Sequence, residues 1–261
     1  MINFSMVLQD FLKFLYIFIR IISFMTVAPV FGRRETPIQI KIGFSMLMAI
    51  IIFPFIENQG FNYNFIEFIY YTLKEILTGL IMGFCVFAIF SLFYITGQMI
   101  DLQMGFGIVN VIDPQSNTQI PLMGNFYYIL ATLIFLTVNG HHILIGSLIK
   151  SYDLVPIGKG SFASYNLLNA ILNIFKYMVI TGIKMSLPVI TMILIVDFIL
   201  AIIAKIAPQI NVFIVGLPLK ILIGVFAIII VIPSFIIALD GIFNGIYDGL
   251  FSVLRGMMTS E

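Results

Sequence analysis

The feature that most constrains this chain is a series of apolar runs, each nearly free of charge and about as long as a bilayer is thick. A transmembrane helix needs about 20 mostly apolar residues. Six stretches meet or approach that length: Phe11 to Phe31, Ile38 to Ile56, Ile76 to Ile100, Pro121 to Ile149, Tyr177 to Ile206 and Ile210 to Leu239. They are too long for strands and do not alternate, so the pattern predicts an all-α membrane protein with about six long, partly broken hydrophobic helices. Composition agrees. Charged residues make up 10% of the chain against about 25% in soluble domains, and the mean hydropathy is +1.13. A net charge of +1 gives no footing for nucleic acid or for a polybasic lipid anchor. Asp10 directly precedes the first run, Lys13 and Arg20 interrupt it, and no small-residue cleavage site follows it, so that segment is expected to be retained.

Lys and Arg in short loops should set the orientation. Arg33, Arg34 and Lys41 place the first loop in the cytoplasm, and Glu57 and Glu67 place the next one opposite. Alternation then returns Gly105 to Pro121 to the inside with no Lys or Arg to support it, and puts Lys150 and Lys159 outside, against the rule. Such a decaying signal has two readings: weak sequence statistics, or helices that do not end in an ordinary bilayer. Pro188, Pro218 and Pro233, with Gly182, Gly216 and Gly224, fall inside apolar runs and are expected to break or kink them. The last stretch, "DGIFNGIYDGLFSVLRGM", carries Phe243, Ile246, Tyr247, Leu250 and Leu254 on one helical stripe and Asp240, Asn244, Asp248, Ser252 and Arg255 on the other. It reads as a separate amphipathic helix lying on the membrane surface or on a partner.

Charges inside apolar runs usually pair or line a pathway. The last two runs form a hairpin about "APQINV", with the turn at Pro208, Gln209 and Asn211. Asp197 and Lys220 are nearly equidistant from that turn, roughly 16 Å along each helix at 1.5 Å per residue. They are expected to face each other, either as a structural ion pair or as a proton- or ion-linked site. Lys205, nearer the turn, can snorkel to a polar boundary. Other chemistry is missing from the sequence. "QMGFG" lacks the Lys-Ser or Lys-Thr of a phosphate loop. His141 and His142 point about 100° apart on a helix, a poor arrangement for one metal. The single cysteine, Cys85, sits in an apolar run as an inert thiol, and no nucleophile motif surrounds it or the serines. The expectation is a chain with no cofactor, no metal and no enzymatic activity.

Between the third and fourth runs lies "GFGIVNVIDPQSNTQIP", Gly105 to Pro121, rich in turn residues and amides and almost without charge. The blocks around it are specific. "TVAPVFGRRETPIQIKIG", "KEILTGLIMGF", "GQMIDLQMGFGIVNVIDP", "VNGHHILIGSLIKSYDLVPIG" and "APQINVFIVGLPLKILIG" resemble, in order from Thr26 to Gly224, blocks of the FliR/SctT family of type III secretion export-gate proteins. The resemblance implies a FliP-like N-terminal part, residues 1–165, and a FliQ-like helical hairpin with an amphipathic helix, residues 166–261. It implies partners, namely FliP-like and FliQ-like subunits in a hetero-oligomer, a FlhB-like membrane protein, and secreted substrates in transit. It implies the bacterial inner membrane and the flagellar basal body, with helices displaced out of the bilayer plane. It also implies that the 105–121 segment projects into the channel as a plug.

The residues suit that task. Gly105 and Gly107 permit tight backbone geometry. Phe106, Ile108, Val109, Val111 and Ile112 offer an apolar constriction, and Asp113-Pro114 ends it. Ser116, Asn117, Thr118 and Gln119 can satisfy backbone groups without buried charge. Met104 and Met123 flank the segment as an adaptable seal. The alternatives are a loop that only packs helices and, for the whole chain, a self-contained secondary transporter built on Asp197 and Lys220.

Overall fold

The computed structural model describes residues 4–32, 36–57, 64–106, 121–209 and 211–258. Arg33, Arg34 and positions 107–120 therefore lie outside the described residues. Seven α-helices run through the rest: α1 Phe4–Val27, α2 Ile38–Ile52, α3 Phe65–Met104, α4 Leu122–Thr137, α5 Gly140–Leu154, α6 Tyr165–Ile206 and α7 Val212–Met257. Phe53–Phe55 adds a 3₁₀ turn after α2, and there is no strand among the described residues. Among the described residues four stretches are long and apolar enough to cross a membrane: Ile38–Phe55, Phe65–Met104, Tyr165–Ile206 and Ile214–Met257. The α4–α5 pair makes a fifth if it counts as one span.

Three expectations change. The run Pro121 to Ile149 is two helices bent by 73°. Asn139 causes the break by adopting the left-handed region at φ 59°, which Asn tolerates better than other residues bearing a side chain. The three prolines, by contrast, do not end their helices. α6 continues through Pro188, and α7 through Pro218 and Pro233. Each removes one amide from a long helix whose remaining bonds hold. The C-terminal amphipathic stretch is not a separate element either. It is the continuation of the 46-residue α7. Of its apolar stripe, Phe243, Ile246, Leu250 and Leu254 are buried in the chain but Tyr247 is exposed, as are Asp240, Asn244, Asp248, Ser252 and Arg255.

The chain divides into two compact units. The first comprises Met1–Ile89, Asn139–Phe175 and Asn244–Glu261, and the second Phe90–Val138 and Lys176–Phe243. In the first unit a stripe of glycines sets the packing. A Cβ on Gly79 would overlap the Arg20 carbonyl of α1, and one on Gly83 would come within 2.9 Å of the Phe24 carbonyl. Small residues four apart let two helix backbones touch, and the matched order of the contacts makes α1 and α3 parallel. The end of α7 closes this unit. Ser161 N donates to Met257 O at 2.8 Å, and Gly249 faces Cys85, Ile89 and Ile174.

In the second unit the C-terminal part of α3 is the hub. A Cβ on Gly97 would overlap the backbone of Gly124, and Tyr94 stacks on Tyr128 at 4.8 Å, so α4 runs antiparallel to α3. Thr96 donates to the Gly182 carbonyl of α6 at 3.0 Å. Phe93 packs edge-on to Phe235 of α7 at 6.0 Å, and Gly224 of α7 accommodates the Met104 side chain. Burial separates the helices into two kinds. In the most apolar window of α3, 61% of the residues are buried, but in those of α6 and α7 only 22% are. The first is a core helix. The other two present apolar faces, with Phe198, Ile206, Ile214 and Ile237 all more than two-thirds exposed, that lipid or other chains must cover.

Candidate functional site

Three polar arrangements stand out in this apolar chain. The first is the stem of the 105–121 segment. α3 ends in a Schellman turn: Gly105 takes φ 88°, Phe106 N donates to Asp101 O at 3.0 Å and Gly105 N to Leu102 O at 3.3 Å. On the far side α4 begins after Pro121, whose side chain offers no capping oxygen. Asp101 supplies it instead. Its carboxylate accepts the Met123 amide at 3.1 and 3.2 Å, across 22 residues of sequence. Met104 is fully buried against Gly224, and Met123 is half-buried. Of the expected plug residues, Gly105 and Phe106 are described. Gly107, Ile108, Val109, Val111, Ile112, Asp113 and Pro114 lie outside the described residues.

The second is the α6–α7 hairpin. Lys220 Nζ lies 2.5 Å from Asp197 Oδ1, both side chains about one-third exposed or less. Gln103 of α3 donates to the other carboxylate oxygen at 3.2 Å. The carboxylate is thus shared by three helices. At the turn Pro208 and Gln209 are exposed. Asn211 caps α7, its Oδ1 accepting the Ile214 amide at 3.4 Å.

The third is a buried charge centre that the sequence reading left incomplete. Arg20 is fully buried in α1. Its Nε donates to Glu75 Oε2 at 2.6 Å and its Nη2 to Glu75 Oε1 at 3.0 Å, a bidentate pair. Nη2 also reaches the Val155 carbonyl at 2.9 Å, and Nη1 reaches both the carbonyl and the hydroxyl of Ser151 at 3.1 Å. A guanidinium has five N–H donors, and these five contacts use them all. Glu75 Oε1 accepts a further bond from Gly158 N at 2.9 Å. Gly158 sits at φ 73°, and a Cβ there would overlap the Tyr71 ring, so glycine is required twice over. Tyr152 covers the guanidinium at 4.2 Å and donates its hydroxyl to the Ile17 carbonyl.

Two signals in the sequence pointed to what was missed. A lone Arg within an apolar run demands a partner, and Glu75 is the second residue of the block "KEILTGLIMGF". An acid in the last turn of a helix opposes the dipole unless its carboxylate is used elsewhere, and Asp101 is such an acid. His141 and His142 pack edge-to-face at 4.4 Å. Among the described residues no three His, Cys, Asp or Glu side chains come together as a metal site would require.

These features define an all-helical membrane protein whose polar residues tie helices together and whose outer faces need cover. The profile of the family described as bacterial export proteins, family 1, matches residues 11–246, and the chain belongs to that family. The flagellar biosynthetic protein FliR of Bacillus subtilis (strain 168) is 35% identical over 240 residues, 91% of this chain and 93% of its own. The protein of the same name from Escherichia coli (strain K12) is 27% identical over 236 residues, 90% of each chain. The surface presentation of antigens protein SpaR of Shigella flexneri is 29% identical over 165 residues, 63% of each.

Proposed function

We propose that this chain is a core subunit of a flagellar type III export gate, helping to form and seal the protein-conducting channel for unfolded substrates. The observation that carries the reading is the contrast within the chain. α6 and α7 leave most of their apolar windows uncovered, whereas the ends of the 105–121 segment are tied down by Asp101 and a Schellman turn. Uncovered helices fit FliP-like and FliQ-like neighbours and the inner membrane of the basal body, with a FlhB-like protein beside them. In this reading residues 1–165 form the FliP-like part and residues 166–261 the FliQ-like part. Gly105, Phe106, Gly107, Ile108, Val109, Val111, Ile112, Asp113 and Pro114 form the plug, with Met104 and Met123 at its base. An apolar constriction excludes hydrated ions at rest and yields to a passing chain. No bond is made or broken by this subunit, and the driving energy comes from an ATPase or the proton motive force through partner proteins.

The test is deletion of Ile108 to Ile112 in cells that assemble the whole apparatus. Ion leak through the resting membrane should rise, or export should fall. A deletion that alters neither would refute the plug.

A further inference from the structure

We propose that the cleft between α1 and α2 in the first unit binds one phospholipid with a zwitterionic aminophosphate headgroup, of the phosphatidylethanolamine class. The site is independent of the plug and needs only that α2 crosses the bilayer. α1 and α2 pack antiparallel, so the start of α1 meets the end of α2. Between them lies an open cleft of about 230 Å³, walled by Asp10 and Phe14 of α1 and by Ile50 and Phe53. Beside it Lys13 is only 6% exposed. Its ammonium lies 4.3 Å from the centre of the Phe53 ring, and among the described residues no carboxylate forms an ion pair with it. A ring face offsets only part of the cost of burying a cation, which calls for an anion. Asp10, exposed, lies one turn earlier on the same side of α1. A carboxylate has about four acceptor sites, so Asp10 can take an ammonium in addition to its present contacts. The mouth thus presents one cation and one anion about 5–6 Å apart at Cβ, a spacing that suits a phosphate joined to an ammonium by two carbons.

Depth selects a lipid as the occupant. The stretch apolar enough to cross a membrane is Ile38–Phe55, and the exposed acid Glu57 follows it. Phe53 stands in the last turn of that stretch, so the cleft lies at the level of headgroups. Below it α2 turns an apolar strip outward. Ile42, Met46, Leu47 and Ile50 are 41–61% exposed, and a Cβ on Gly43 would meet nothing within 4 Å. From Ile50 back to Ile38 the helix falls about 18 Å, against about 15 Å for half of a 30 Å hydrocarbon core. One acyl chain can therefore lie along the strip while its headgroup occupies the cleft. A neighbouring helix would match the strip, but the neutral pair of charges at its upper end matches the two ends of one headgroup.

The test uses the full chain in its native complex, gently extracted and returned to vesicles of phosphatidylglycerol holding a trace of phosphatidylethanolamine with a photoreactive acyl chain. Labelled peptides are mapped by mass spectrometry. Label should concentrate on the peptides holding Phe14 and Ile50. Unlabelled phosphatidylethanolamine should displace it at least tenfold more effectively than added phosphatidylglycerol, and soluble phosphoethanolamine should not displace it. Lys13→Met should lower labelling of the cleft at least fivefold and Lys13→Arg should retain most of it, with complex levels and labelling elsewhere on the chain unchanged. Asp10→Asn should abolish the advantage of phosphatidylethanolamine. Equal displacement by the two lipids in the native chain, displacement by soluble phosphoethanolamine as strong as by the lipid, or undiminished labelling in Lys13→Met would each overturn the inference. So would a cleft that takes no label, the result expected if another subunit covers it. If Lys13→Met prevents assembly, Ile50→Trp decides, since it fills the cleft from an exposed wall: label on the Phe14 peptide should disappear, and its persistence would overturn the site.

Discussion

Replacing Glu75 with Ala should destabilise the first unit severely. Three hydrogen bonds disappear: two from Arg20 and one from Gly158 N. Arg20, fully buried, keeps its charge with no counter-charge. Removing one partner of a buried ion pair costs about 3–5 kcal/mol. Cys85, the protein's only cysteine, is 2% exposed and lies ten residues along the same helix in the same unit, so reaction of its thiol with a fluorescent maleimide reports opening of this packing. Where opening is in fast equilibrium, the labelling rate follows the open population. At about 1.4 kcal/mol per factor of ten, labelling should accelerate by about two to three and a half orders of magnitude in Glu75→Ala. Arg20→Leu should have a comparable effect. The double change Arg20→Leu with Glu75→Leu should cost less than the sum of the single ones, because no charge is then stranded. Labelling of Glu75→Ala within about twofold of the native rate at equal temperature would refute this reasoning, since a difference of that size is only about 0.4 kcal/mol. A double change as costly as the sum would deny the coupling.

Other perturbations give further expected outcomes. Gly158→Ala forces a side chain into the Tyr71 ring at positive φ and should cost about 1–3 kcal/mol, read by the same thiol labelling. Gly97→Ala should push α3 from α4 and cost about 1–3 kcal/mol, read as a lower melting temperature of the extracted protein. Asp197→Lys and Lys220→Asp should each reduce export. The double swap should restore a large part of it, and no rescue would show that the pairing at 2.5 Å does not matter to function.

The sequence exposed those parts of the fold that depend on local counting. Helical rise makes depth proportional to residue number, so two charges equidistant from a turn at Pro208 and Gln209 can be brought together on paper, and Asp197 and Lys220 do lie in contact. Arg20 could not be treated that way. Its partner is 55 residues distant, α2 intervenes, and α1 and α3 run parallel rather than as a hairpin. The glycines that let them touch, Gly79 and Gly83, read only as small residues in an apolar run. Breaks were misjudged for a related reason. Proline signals a lost amide, yet a long helix carries on past it, while the 73° bend is marked by a single Asn between Val138 and Gly140. The stripe ending in Leu254 was visible, but what buries it was not, because contacts such as Gly249 with Cys85 join segments more than 160 residues apart.

The most direct test of the export-gate reading is native mass spectrometry of the complex, gently extracted from its own cells. One copy of this chain bound to several copies each of two small membrane proteins is the predicted result. A lone monomer or homo-oligomer, with those two proteins present in the same membranes but unbound, would contradict it and turn attention to Asp197 and Lys220 as the centre of a self-contained transporter.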